Sequence, residues 1–268
     1  MAGMAARWRA VREESAMRSG NPVLRDSTFQ GLFAEGERMT LNGTVGKTGL
    51  LLFLAVVTGG WTWLRFSHAA AEGGNVAAGL TAIAPFMWGG FLVGFVLALV
   101  TAFKANWAGI TAPAYAIAEG FALGGVSALF EVRFPGIVLQ AVMLTAGVMA
   151  VMLMLYRSRI IRVTDKLRMG VVAATGGIAL LYLVDMGLRM FTSIQVPFIH
   201  ESGVLGIGFS LLVVGLAAFN LLLDFDLIES GVEQGAPKYM EWYGAFGLMV
   251  TLAWLYLELL RLLSKARR

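Results

Sequence analysis

Beyond a polar opening, the chain settles into long apolar runs separated by short polar punctuation. Residues 1–43 mix charges of both signs (Arg7, Arg9, Arg12, Glu13, Glu14, Arg18, Arg25, Asp26, Glu35, Glu37 and Arg38) with no sustained apolar stretch. From there, apolar segments recur that are long enough, at about 1.5 Å per residue, to cross a hydrocarbon core of about 30 Å. They run over 45–64, 76–103, 108–130, 136–156, 169–191, 203–228 and 242–263. The pattern predicts an all-α polytopic membrane protein: a polar N-terminal tail over 1–43, a seven-helix transmembrane domain over 44–264 and a short basic C-terminal tail over 265–268. The connections are short, which leaves no room for a second folded domain.

Composition narrows the chemistry. With 58% hydrophobic and only 14% charged residues, the chain falls outside the range of soluble domains. The 33 glycines suit helices that approach closely in lipid, and Gly90 with Gly94 forms one small-xxx-small pair. The absence of cysteine excludes a disulfide framework, a thiol nucleophile and a thiolate metal site. Only His68 and His200 are present, so neither a histidine metal cluster nor a bound cofactor is expected. No HExxH helix or GxSxG elbow occurs, and an enzyme is not expected. The expected partner is the lipid bilayer, with other membrane proteins as a second class; nucleic acid is not expected.

Basic flanks set the expected orientation. The segment RSRIIRVTDKLR carries Arg157, Arg159, Arg162, Lys166 and Arg168 and lies on the same side as the basic N-terminal tail, so both are expected in the cytoplasm. The tail lacks an apolar h-region and a small-residue cleavage site, which reads as a retained segment rather than a signal peptide. The ending RLLSKARR conflicts, since seven crossings put it outside. Either it is tolerated there, or the last segment is a re-entrant hairpin; span length favours seven crossings.

Ionisable side chains within the apolar runs are the candidate functional groups, because charge in lipid is costly. Asp224 falls about one turn inside the end of the sixth span, and Asn220 and Ser210 share its helical face, whereas Asp226 points away. Gly244, Gly247, Thr251 and Glu258 share one face of the seventh span. Glu119 lies near the middle of the third. Asp185 and Arg189 read as an i,i+4 ion pair in the fifth span. Lys104 closes the second and can snorkel to headgroups. Asp226, Glu229 and Glu233 run into a loop and read as solvated. A carboxylate at depth loses hydration, so it can titrate near neutral pH. Protonated, it can hold a seam closed; ionised, it offers the hard oxygen that calcium prefers.

Three strings carry a family resemblance: ITAPAYAIAEGFALGGVSALFE (Ile110 to Glu131), NLLLDFDLIESGVEQGAPKYMEWY (Asn220 to Tyr243) and WLYLELLRLL (Trp254 to Leu263). Over residues 44 to 264 the chain resembles the transmembrane Bax inhibitor motif family in its bacterial branch. Asp224, Leu227 and Ile228 match the sixth-span pattern, and Glu119, Gly120 and Gly124 to Ser127 match the third. The resemblance implies a seven-helix bundle with the last helix central, in a bacterial inner membrane, acting as a pH-sensitive calcium leak. It implies a proton-sensing aspartate pair on the sixth and seventh helices and a basic residue on the second that holds the closed state. Asp224 matches the first aspartate. LYLE would name Glu258 as the second, but the separation from Asp224 exceeds the family spacing by about ten residues, close to three helical turns. Alignment on LLRLL places Thr251 there instead. Lys104 is the candidate basic residue by location. The expected function is thus a calcium leak gated by Asp224; the alternative is a regulator that docks on other membrane proteins, such as a membrane protease, through its charged tail.

Overall fold

The computed structural model describes residues 37–191, 201 and 203–268. Among them, seven helices are long and apolar enough to cross a membrane. These are α1 (Leu41–Glu72), α2 (Val76–Phe103), α3 (Ala108–Arg133), α4 (Ile137–Arg157), α5 (Asp165–Phe191), α6 (Val204–Glu233) and α7 (Met240–Ala266), with one 3-10 turn (Ala105–Trp107) between α2 and α3. The described residues form an all-α, seven-helix bundle, as expected.

The helix ends are set by local hydrogen bonding that hydropathy does not register. Thr40 caps α1 by accepting from the Gly43 N–H at 3.0 Å, so the helix begins a turn before the apolar run. Asn75 caps α2 on Ala78 N at 2.9 Å. The α6–α7 turn needs a left-handed residue and has Gly235 at φ 70°. At the α3–α4 turn, the Glu131 carboxylate accepts from the backbone N–H groups of Gly136 and Val138.

Helix α7 occupies the centre, against α1, α3, α4 and α6, while α2 packs mainly on α1 and α3 and meets α7 near its end, where the Tyr243 hydroxyl donates to Ala102 O. It is one uninterrupted helix, which removes the re-entrant alternative. The expected tail boundaries also shift. Residues 37–40 belong to the bundle: Met39 is buried, its N–H donates to Ala236 O at 2.7 Å, and Lys238 N donates to Glu37 O at 3.0 Å. At the other end, Lys265 is a buried residue of α7 rather than part of a solvated tail. Residues 1–36 and His200 lie outside the described residues.

Small residues let three helices touch backbone to backbone. A Cβ added at Gly124 of α3 would sit 2.7 Å from the Gly59 carbonyl oxygen and 2.8 Å from Gly59 Cα on α1. One added at Gly90 of α2 would sit 2.5 Å from Ala118 O on α3, so the Gly90–Gly94 pair serves contact within the chain. Backbone cannot yield as a flexible side chain can. Gly124→Ala is therefore expected to destabilise the bundle by about 1–3 kcal/mol. Gly147→Ala on α4, where a Cβ would meet nothing within 4 Å, is expected to be neutral or stabilising. Thermal unfolding in detergent checks both, and equal melting temperatures for the two variants would refute the close-approach account.

Candidate functional site: a polar seam around the last helix

The central helix has polar residues at seven-residue intervals: Thr251, Glu258 and Lys265. A repeat near 3.5 keeps them on one slowly drifting face. All three are buried, and all three are hydrogen-bonded to neighbouring helices.

Asp224 is fully buried in α6, and its Oδ2 accepts from the Thr251 hydroxyl at 2.5 Å. One turn earlier, the Asn220 amide donates to Thr175 Oγ1 on α5 at 2.8 Å and to Leu216 O in its own helix at 2.9 Å. The stripe predicted on α6 is thus divided, with Asp224 turned to α7 and Asn220 to α5. Ser210, at the far end of the stripe, bonds Lys265 Nζ at 2.8 Å, and the same ammonium donates to Gly206 O at 2.9 Å.

About 10 Å along α7 from Thr251, Glu258 is only 2% exposed. Arg261 Nη1 donates to both its carboxylate oxygens, at 2.9 and 3.1 Å, and to the Tyr182 hydroxyl of α5 at 2.6 Å. That hydroxyl in turn donates to the carboxylate at 3.1 and 3.3 Å. The guanidinium carbon lies 4.9 Å from the Tyr182 ring centroid, a cation–π contact. Of the two positions weighed for the partner of Asp224, the bundle brings up Thr251 and holds Glu258 in a separate cluster.

At the end of the bundle that carries Leu41, Glu241 is fully buried. It accepts from the Thr40 N–H at 2.9 Å and the Thr40 hydroxyl at 2.8 Å, and it pairs with Lys47 of α1. Lys238 adds a second cation at 3.3 Å. Neither Glu241 nor Lys47 stands out in the sequence, because both lie near helix ends where charge is unremarkable.

Lys104 is not part of the seam. It follows α2 as an exposed residue with its Nζ 4.4 Å from the Trp107 ring centroid. Its ammonium is directed to Trp107, whereas Lys47 pairs with a carboxylate of α7, that of Glu241. Glu119 is half-buried on α3 and faces α2, with an oxygen 3.4 Å from where a Gly94 Cβ would be, and it interacts with the Tyr115 phenol one turn earlier. Arg189 Nε lies 3.9 Å from Asp185 Oδ2, the expected ion pair.

Asp226 and Glu229, expected to run into a loop, lie instead on the helix, partly exposed and paired with arginines. Arg168 pairs with Asp226 at 2.5 Å, and Arg159 pairs with Glu229 at 3.0 Å, with the Tyr156 hydroxyl donating to Glu229 as well. The cause is length: α6 continues as helix through Glu233, so the basic α4–α5 segment folds back on it. Glu233 itself is exposed. The basic ending has a similar explanation. Arg261 and Lys265 are bonded inside the bundle, and Arg267 donates to Pro135 O and Gln140 Oε1, each at 2.8 Å.

Comparison with curated proteins and with solved structures gives no match. Comparison with family models gives one over residues 21–268, to the family described as Bax inhibitor 1 like. The match extends past both ends of the stretch 44–264 that carries the resemblance. A match of essentially the whole chain, on a seven-helix bundle built around its last helix, means that the protein belongs to the Bax inhibitor 1 like family of integral membrane proteins.

Proposed function

We propose that the protein is a passive, pH-sensitive cation leak that passes calcium, with Asp224 as the proton sensor. The observation that carries this reading is a fully buried carboxylate bonded to the Thr251 hydroxyl, where α6 meets the central helix of a membrane bundle. Ionisable groups at such depth are costly and are retained where they do work. In the protonated state, a neutral acid and a hydroxyl hold α6 and α7 together. Ionisation charges the seam, favours entry of water and presents hard oxygen to a calcium ion. In this chain the sensor is a single carboxylate with a hydroxyl partner, and Glu258 acts as an anchor held by Arg261 and Tyr182.

The orientation fits a bacterial inner membrane with the Leu41 end in the cytoplasm, since Arg157, Arg159, Arg162 and Arg168 gather there. Purified protein in vesicles tests the reading: calcium entry is expected to rise as pH increases between about pH 6 and about pH 8. Folded protein that admits no calcium at any pH in that range would refute the leak.

A docking role through the N-terminal tail is the second reading, favoured by the way residues 37–40 are fastened to the α6–α7 turn. Removing residues 1–36 separates the two. A leak is expected to survive, whereas docking is expected to fail. The deletion has to stop before Glu37, because Glu37 and Met39 bond the α6–α7 turn.

A further inference from the structure

Helix α5 is held to the bundle differently from the others. Only Arg168, Val171 and Asp185 are buried along its 27 residues. Among the described residues, its backbone packs closely along α6 alone. No backbone-to-backbone contact of the Gly59–Gly124 kind is found at its glycines: at Gly170, Gly176, Gly177 and Gly187 a Cβ would meet nothing within 4 Å.

A polar ladder holds α5 in place. Its inward positions recur every seven residues, and three successive ones bond α6 or α7. Arg168 pairs with Asp226 at 2.5 Å. Thr175 accepts from Asn220 at 2.8 Å. Tyr182 joins Glu258 and Arg261 and meets Phe209 edge-on at 6.3 Å between ring centroids. The rungs are about 10 Å apart. Beside them, Leu167, Val171, Val172 and Ile178 pack in one cluster with Leu216, Leu223 and Trp254. Lipid supplies no hydrophobic drive between helices, so α5, which lacks close backbone contact, depends on this small packed cluster and on its directional bonds. Water can replace such bonds one for one. The middle rung lies on Asn220, one turn from Asp224, so a departing α5 would uncover the Asn220 side of α6 beside the sensor, which itself faces α7. Gly176 and Gly177 adjoin that rung, and each costs a helix interior about 1 kcal/mol relative to alanine without any packing in return.

We propose that α5 is the gate helix: it swings from α6 and α7 by exchanging the Arg168, Thr175 and Tyr182 rungs for water, bending at Gly176–Gly177, and so admits water to the Asn220 face of α6, one turn from Asp224. The route it opens rests on the leak reading; the motion itself does not.

The cysteine-free chain makes the test direct. In Thr175→Cys/Asn220→Cys, a short reducible bifunctional thiol reagent is expected to bring calcium flux in vesicles down to the protein-free background, with recovery on reduction. Undiminished flux through the bridged protein would overturn the gate. A second measurement needs no flux. The reaction of Thr175→Cys with a water-soluble maleimide is expected to speed up about tenfold or more when Tyr182→Phe removes the hydroxyl that bonds both Arg261 and Glu258. It is expected to slow when Gly176→Ala and Gly177→Ala stiffen the helix, neither of which meets a neighbour. If wild-type vesicles admit no calcium while these rates move as stated, the swinging helix stands and the leak falls. Rates that ignore both sets of substitutions overturn the proposal.

Discussion

Asp224→Asn is expected to hold calcium flux near the protein-free background between about pH 6 and about pH 8 and to erase its pH dependence. The amide keeps the shape of the carboxylate and can accept from Thr251 as the acid does, but it cannot ionise. It therefore fixes the seam in the neutral arrangement that holds α6 on α7. Thr251→Val should act in the opposite direction. Valine fills the same space without the hydroxyl, so the contact that closes the seam at 2.5 Å is gone, and flux at the acid end should rise. Opposite signs from two near-isosteric changes at one contact would be hard to attribute to misfolding. An Asp224→Asn protein that conducts with the wild-type pH profile would remove Asp224 as the sensor.

The spans were legible because lipid demands an uninterrupted apolar length, and all seven runs lie within observed helices apart from one residue at the start of the fourth and one at the start of the sixth. Their ends were less so, since Thr40 starts α1 and the continuation of α6 to Glu233 rests on bonds made to other parts of the chain. Helical spacing picked out Asn220, Asp224 and Ser210 on α6 and Thr251 and Glu258 on α7 as polar positions, but it did not show that Asp224 turns to α7 while Asn220 turns to α5. What spacing could not supply was partners. Tyr182 is 76 residues from Glu258, and Lys47 is 194 residues from Glu241, so nothing local marks either pair. Nor did the sequence show that the Lys104 ammonium turns to the Trp107 ring, since location at a helix end does not say which way a long side chain points. The central place of α7 followed from family resemblance, although its density of buried glycine, threonine and glutamate is what a helix enclosed by four others needs.

Arg261→Leu is expected to destabilise the bundle by about 3–5 kcal/mol, whereas the double variant Glu258→Leu/Arg261→Leu is expected to stay within about 1 kcal/mol of the parent. The asymmetry comes from burial. The Glu258 side chain is 2% exposed and the Arg261 side chain 34%. Removing the guanidinium leaves a buried carboxylate with the Tyr182 hydroxyl alone to answer it. Removing the carboxylate leaves a cation with a long stem, able to reach toward the water at the Ala266 end, so Glu258→Leu alone should cost less than Arg261→Leu. Replacing both leaves two apolar side chains of suitable volume against α5. Unfolding in detergent gives all four corners of the cycle, and a double variant as unstable as Arg261→Leu would mean that the pair is not the unit that matters. The same cluster decides the role of Glu258. An anchor can exchange its carboxylate for an amide and still accept from Arg261 and Tyr182 through the one remaining oxygen, so Glu258→Gln should preserve the pH response of flux that Asp224→Asn abolishes. Loss of that response in Glu258→Gln would make Glu258 a second sensor and require the two acids to act across the 10 Å or so that separate them along α7.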